Sequence, residues 1–299
     1  MNAIALSLHD ITKVFGHTRA VDGLSVNVNR GTVFGLLGPN GSGKTTTIRM
    51  IMNILLPDTG RVELLGESPS AVVRECVGYL PEERGLYPKM RVLDEIVFFG
   101  EMHGLSRRDA RRNASRVLDE IGEKDWANRV VSELSKGQQQ SVQFACAVVH
   151  NPEFIILDEP FTGLDPVNTE AMLQSIRDLA AQGKTVVLST HRMEQVEQVC
   201  DTICLIDHGR AIVSGTLDEV RSRSDGRSLV IATDVPVESL STIRGVVSCE
   251  KQADGYRLHI DDSTTPEDVV RQVFESGSVT RFEVERPSLH EIFVKAVSQ

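Results

Sequence analysis

The sequence predicts an α/β fold followed by a smaller α+β domain, and three observations carry that prediction. A short apolar run, Thr32 to Leu37, enters Gly38-Pro39-Asn40-Gly41-Ser42-Gly43-Lys44-Thr45-Thr46, the strand, glycine-rich loop and helix order of a phosphate cradle. A second apolar strand, Phe154 to Leu157, ends in the adjacent acids Asp158 and Glu159, and a β-branched strand, Lys184 to Ser189, runs into His191. Beyond Gly226 the elements follow as strand, helix, strand, strand, helix, strand, the order of a ferredoxin-like domain.

Ala5 to Asn29 alternates and turns at Phe15-Gly16-His17-Thr18, so two antiparallel strands open the chain. The helix after the glycine-rich loop is expected from Lys44 to about Leu56, where Pro57-Asp58-Thr59-Gly60 breaks it before a strand at Arg61 to Leu65. Another strand, Val77 to Leu80, ends at Pro81. From Arg91 to Glu133 apolar residues recur at helical spacing, so about 88–150 reads as a helical subdomain completed by a helix from Gln138 to His150. Helices at Val167 to Gln182 and Met193 to Val199, then a hairpin of Ile203 to Asp207 and Ala211 to Ser214, complete a first domain of residues 1–222. The polar stretch Ser222 to Gly226 marks a boundary. Residues 226–299 hold strands at Ser228 to Thr233, Val246 to Glu250, Tyr256 to Ile260 and Val279 to Val284, helices at Val237 to Ile243 and Pro266 to Glu275, and a closing helix at Ser288 to Val297.

At 299 residues the chain is long enough for two cores, and its 40% hydrophobic and 25% charged content excludes general disorder. A net charge of -10 without a continuous Lys/Arg stripe argues against nucleic acid as a partner. The basic cluster Arg107, Arg108, Arg111, Arg112 and Arg116 has the spacing of a solvated helix face. No run approaches the roughly twenty apolar residues of a membrane span. The N-terminus reads as a strand and not a signal peptide, so a cytoplasmic location is expected. Cys76, Cys146, Cys200, Cys204 and Cys249 form no Cys-x-x-Cys pair and suit a reducing compartment; Cys200 and Cys204 lack neighbouring ligands at zinc-site spacing and read as small buried hydrophobes.

The glycines of the loop let backbone N–H groups turn inward around phosphate oxygens; a side chain at Gly38, Gly41 or Gly43 is expected to block that approach. Lys44 then meets the β- and γ-phosphates and Thr45 a Mg2+ ion. Asp158, at the end of a buried strand, emerges at the sheet edge where an open α/β sheet binds its ligand, placed to hold Mg2+ through water. Glu159 beside it is the candidate general base for an attacking water. The Ser135 hydroxyl, the Gly137 amide and the N-terminus of the helix that follows form an anion site; the plainer alternative is that Ser135 is only a helix N-cap. By residue type alone, Phe15 also reads as an ordinary core phenylalanine.

Five segments stand in one order: Gly38 to Thr45, Glu82 after Tyr79-Leu80-Pro81, Leu134-Ser135-Lys136-Gly137-Gln138, Phe154 to Glu159, and His191 after Leu188-Ser189-Thr190. In this order the chain resembles the ATP-binding subunit of an ABC transporter, from about Leu6 to about Leu217. The resemblance implies an ABC-type P-loop ATPase that takes ATP and Mg2+, works as a homodimer, and powers an integral membrane permease subunit from the inner face of the cell membrane. It implies that His191 contacts the γ-phosphate, that Phe15 stacks on adenine, and that Asp165 in Thr162-Gly163-Leu164-Asp165-Pro166 links two sites across the dimer. The signature segment, with Lys136 where glycine is commoner, then completes the ATP site of the second subunit. Glu82 stands where the family usually has glutamine and is placed at the nucleotide and its metal. Gly78 to Tyr87 is similar to the sodium-exporter branch, and Pro287-Ser-Leu-His-Glu-Ile-Phe to the tail of exporter-type subunits, so export is expected over import. A soluble ABC ATPase acting on ribosomes or DNA is the alternative. It usually carries two cassettes or a long coiled coil, and this chain has neither.

Overall fold

The computed structural model describes residues 3–83, 85–223, 227–252, 254–261, 263–285 and 288–297. The chain divides into two compact units, Met1–Leu217 and Asp218–Gln299. The first opens with β1 (Ile4–Phe15) and β2 (Thr18–Asn29), a long antiparallel hairpin, followed by β3 (Val33–Leu37), α1 (Lys44–Ile51), β4 (Thr59–Leu64), α2 (Pro69–Cys76) and β5 (Val77–Leu80). The helical part comprises α3 (Val92–Met102), α4 (Arg107–Glu120), two 3-10 turns at Lys124–Trp126 and Val131–Glu133, and α5 (Lys136–Val148). Then come β6 (Phe154–Asp158), α6 (Pro166–Ala181), β7 (Thr185–Thr190), α7 (Met193–Val199), β8 (Thr202–Asp207) and β9 (Arg210–Thr216).

Two sheets form this unit. One is antiparallel in the order β2-β1-β4; the other runs β5-β6-β7-β3-β8-β9 and is parallel except for the pairing of β8 with β9. Strands β3, β6 and β7 are buried at every residue, which is why they read as continuous apolar runs. The register sets Leu37 beside Thr190, and Asp158 beside Ser189. The glycine-rich loop, the acid pair and His191 therefore leave the sheet at one edge, where open α/β sheets bind their ligands.

The second unit holds β10 (Arg227–Thr233), α9 (Val237–Leu240), β11 (Val246–Gln252), β12 (Gly255–Ile260), α10 (Pro266–Ser276), β13 (Val279–Glu285) and α11 (Leu289–Val297), after α8 (Leu217–Arg223). Its antiparallel sheet is ordered β11-β12-β10-β13. The first strand lies between the third and the fourth, the arrangement of a ferredoxin-like domain. Leu229, Ile231, Leu258 and Ile260 from the sheet pack with Val269 and Val273 from α10.

Several features differ from the sequence reading. Helix α1 ends at Ile51 and not near Leu56, because Asn53 takes a left-handed φ of 55° and the N–H of Ile54 bonds back to the carbonyl of Arg49 at 2.9 Å. Helix α2 was not expected; its signals are Ser68 at the cap and Pro69 in the first turn, where the missing N–H costs nothing. The units divide at Leu217, a few residues before the polar stretch, since α8 begins there; residues 224–226 of that stretch lie outside the described residues. In α4, Arg112 pairs with Asp109 and Arg116 with Glu120, so that part of the basic cluster is a solvated, ion-paired face. Among the described residues no helix is long and apolar enough to cross a membrane.

Candidate active site

Between β3 and α1 the loop closes into a cradle. Gly38 and Gly43 have φ of 153° and 109°, and a Cβ at either would collide with the carbonyl oxygens of Ile206 and Ala20. Gly41 differs from the expectation: a Cβ there meets nothing, and its need for glycine is the φ of 80° alone. Helix α1 has no side-chain cap and no acid in its first turn, so its free N–H groups and positive dipole end are available to an anion. The Lys44 ammonium donates to the carbonyls of Gly38 at 2.8 Å and Pro39 at 3.0 Å. Burial pushes it below the usual lysine range, while Glu159, Asp158 and Glu82 pull the other way.

A cavity of about 280 Å³ opens over this cradle, lined by Ala20, Asn40, Gly41, Gly43, Lys44, Thr45, Thr46, Glu82, Asp158 and Glu159. Gly38, Pro39 and Ser42 do not line it; Ser42 is buried, and its hydroxyl has no hydrogen-bond partner. The three carboxylates thus face one lysine. Burial raises the Asp158 carboxyl, the Ser189 hydroxyl opposes the rise by donating to Oδ1, and Glu82 and Glu159 add to it. The other oxygen, Oδ2, is buried without a partner.

Glu159 sits just past the end of β6 with a left-handed φ of 49° and its N–H bonded to the Ser189 carbonyl at 2.9 Å. Its Oε1 is 2.8 Å from His191 Nδ1, and its Oε2 accepts from the Thr190 hydroxyl at 3.2 Å. The carboxylate is 8% exposed and the imidazole 52%, so His191 is the outer member of the pair. Sequence reasoning assigned no role to Ser189 or Thr190. Their signal was position, at the end of the strand that pairs with the one carrying Asp158.

The signature residues stand elsewhere. Ser135 caps α5 in a reciprocal box: its hydroxyl accepts from the Gln138 N–H at 3.2 Å, while its own N–H donates to Gln138 Oε1 at 2.9 Å. Gly137 packs beside Gly163, Leu164 and Asn168, with room for a Cβ at 3.5 Å from Leu164. Asp165 caps α6 and takes both the N–H of Asn168 at 2.9 Å and its side-chain amide at 2.6 Å; those bonds hold its carboxyl below the usual range. The signature therefore abuts the loop of Asp165, and neither lines the P-loop cavity. Phe15 is 47% exposed at the β1–β2 turn with the Lys13 ammonium 5.8 Å from its ring centre, which excludes the core alternative.

A further residue went unread. Gln143 of α5, buried, donates to the carbonyls of Pro81 at 3.0 Å and Glu83 at 3.3 Å, on either side of Glu82. It ties the loop at the cavity to the helix that begins with the signature. Arg84, a candidate to offset the charge of Glu82, lies outside the described residues.

Fold and site define an ATP-binding cassette that hydrolyses ATP. The chain belongs to the family of ABC transporter ATP-binding proteins. The family profile described as ABC transporter matches residues 21–162, and the one described as ATP-binding protein DrrA1-3-like, C-terminal domain, matches residues 215–297. The chain is 39% identical to the uncharacterized ABC transporter ATP-binding protein YhaQ of Bacillus subtilis (strain 168), over 98% of each chain. It is 32% identical to Nod factor export ATP-binding protein I of Rhizobium sp. (strain N33), over 99% of this chain and 97% of the other. Among solved structures it is similar to the dimeric post-hydrolysis state of the cassette MJ0796 bound to ADP and Pi, with TM-score 0.64 and 26% identity over 71% of this chain and 98% of that one.

Proposed function

We propose that this chain powers export through a separate integral membrane permease, by hydrolysing Mg-ATP at two sites shared across a head-to-tail homodimer on the inner face of the membrane. The observation that carries the shared site is the position of the signature: Ser135 and the start of α5 lie off the P-loop cavity, with no phosphate of their own chain to bind. Export is supported by the full-length similarity to a Nod factor export ATP-binding protein and by the second unit, which that relative's length also accommodates.

Within each site Lys44 and the loop N–H groups bind and orient the β- and γ-phosphates. Asp158 Oδ2, buried without a partner beside the cavity, is an oxygen donor suited to a hard divalent cation. Thr45, Asp158 and Glu82 are the residues proposed to hold Mg2+, which when bound would neutralise charge on the phosphates. Glu159 takes the proton of the attacking water at a carboxylate oxygen, with Thr190 and His191 fixing its orientation. The reading assigns His191 to contact the γ-phosphate, which its exposure as the outer partner of Glu159 supports, Phe15 to stack on the base, and Asp165 to link the two sites.

Mixing inactive subunits tests the shared site. Lys44→Ala and Ser135→Arg chains, each inert alone, should together regain about a quarter of wild-type turnover, since half the dimers are mixed and each has one intact site of two. Mixtures as inactive as their components would mean that each chain works by itself.

A further inference from the structure

The edge strand of the second unit is self-complementary, and we propose that β13 pairs with β13 of a second copy of this chain in a two-fold contact centred on Phe282. Among the described residues β13 pairs with β10 on one side only and ends the sheet. Residues Thr280 to Val284 are all exposed, including Phe282 at 55% and Val284 at 45%. An open edge with large apolar side chains and no proline is a template for another strand. Phe282 stands opposite Ile231 and Val284 opposite Leu229, so both lie on the face that holds the core, while Arg281 and Glu283 lie on the other face.

Antiparallel pairing about Phe282 sets ring against ring, Thr280 against Val284, and Arg281 against Glu283 twice over, once on each side of the axis. Directly opposite residues share a face, so each guanidinium meets a carboxylate. The neighbouring registers fail: one sets Glu283 against Glu283, the other Arg281 against Arg281. In the single chain Arg281 already holds Glu283 at 2.7 Å along the strand, so both groups stand on the face where a partner's pair would arrive. The opposite edge offers no such match. In β11 the charged neighbours Glu250 and Lys251 point to opposite faces, and no antiparallel register opposes them.

The test is sedimentation of the full chain without nucleotide at low ionic strength, so that its outcome is separate from any ATP-bound dimer. Concentration-dependent dimers are expected. Arg281→Glu and Glu283→Arg should each weaken them about tenfold or more, since attraction becomes repulsion at two symmetric positions. The double variant Arg281→Glu/Glu283→Arg should restore them, because each reversed charge again meets its opposite. Phe282→Cys should be joined by a short thiol cross-linker, and Val247→Cys on β11 should not. A chain that stays monomeric up to about 100 μM, or a double variant no better than the single ones, would overturn the proposal.

Discussion

The two units put their sheets to different uses. In the first, β3, β6 and β7 are buried along their whole length, and reactive side chains stand only where the strands end, at Asp158, Ser189 and Thr190. In the second, burial alternates: Leu258 and Ile260 are buried on β12, while Arg257 and His259 between and before them are partly exposed. A parallel sheet covered on both faces leaves only its edge to meet a ligand, so chemistry concentrates there. An antiparallel sheet whose burial alternates has no such focus, and its buried residues are set by packing.

The comparison is broken most directly at Glu159. Glu159→Gln keeps the shape of the side chain and removes its basicity. It should lower steady-state ATP turnover by about 10² or more while nucleotide binding stays near wild type. Turnover within a few-fold of wild type would show that the strand end does not carry the base. The mirror experiment is Leu258→Ala, which empties a fully buried position of the second unit. It should cost about 2–5 kcal/mol of that unit's stability by calorimetry and leave kcat and KM for ATP unchanged.

The same contrast explains what was legible in the sequence. That Lys44, Asp158 and Glu159 meet at one cavity was legible, because a glycine-rich loop leading into a helix and an acid pair closing an apolar strand both fall at the same edge of an open α/β sheet. The part of Gln143 was not, because a buried amide on a helix face has no local pattern that names the loop carbonyls it will hold, 60 or more positions away. Phe15 required the three-dimensional hairpin to separate an exposed ring from a core one. The ferredoxin-like order was visible because turns and alternation are local, whereas α2 was lost in a stretch whose helix is short, with only Pro69 fully buried. The end of α1 was misplaced since the left-handed Asn53 competes with an apolar run that continues the helical pattern.

A smaller effect comes from a buried group in the first unit that takes no part in the site. His150, just after α5, stacks on His103 with ring centres 3.8 Å apart, and its Nε2 lies 3.1 Å from the Val77 carbonyl. Burial, with help from His103 and Lys184, pushes its pKa down to about 4. The unfolded chain then binds a proton near pH 6.5 that the folded chain refuses until about pH 4, so stability is full above pH 6.5 and falls as pH drops through that window. The slope from this group should approach about 1.4 kcal/mol per pH unit. His150→Gln should flatten that part of the profile in denaturant titrations at a series of pH values, and an unchanged slope would assign the acid sensitivity to other groups.

The smallest effect is expected at Glu82, where the two kinds of control meet. Its carboxylate lines the cavity with Asp158 and Glu159, and its loop is held on both sides by Gln143, so it lies between the P-loop cavity and the helix that starts with the signature. Glu82→Gln removes one of three negative charges and leaves the loop's backbone bonds in place. At saturating Mg2+ the chemistry should change less than about tenfold, since positioning and not the base is altered. At limiting Mg2+ the loss should be larger, with the half-saturating concentration raised, because a cation is attracted less strongly to the weaker field. A Mg2+ titration of ATP hydrolysis with and without the permease separates these outcomes. Coincident curves for the wild-type chain and Glu82→Gln in both conditions would make Glu82 a solvated loop acid with no part in coupling.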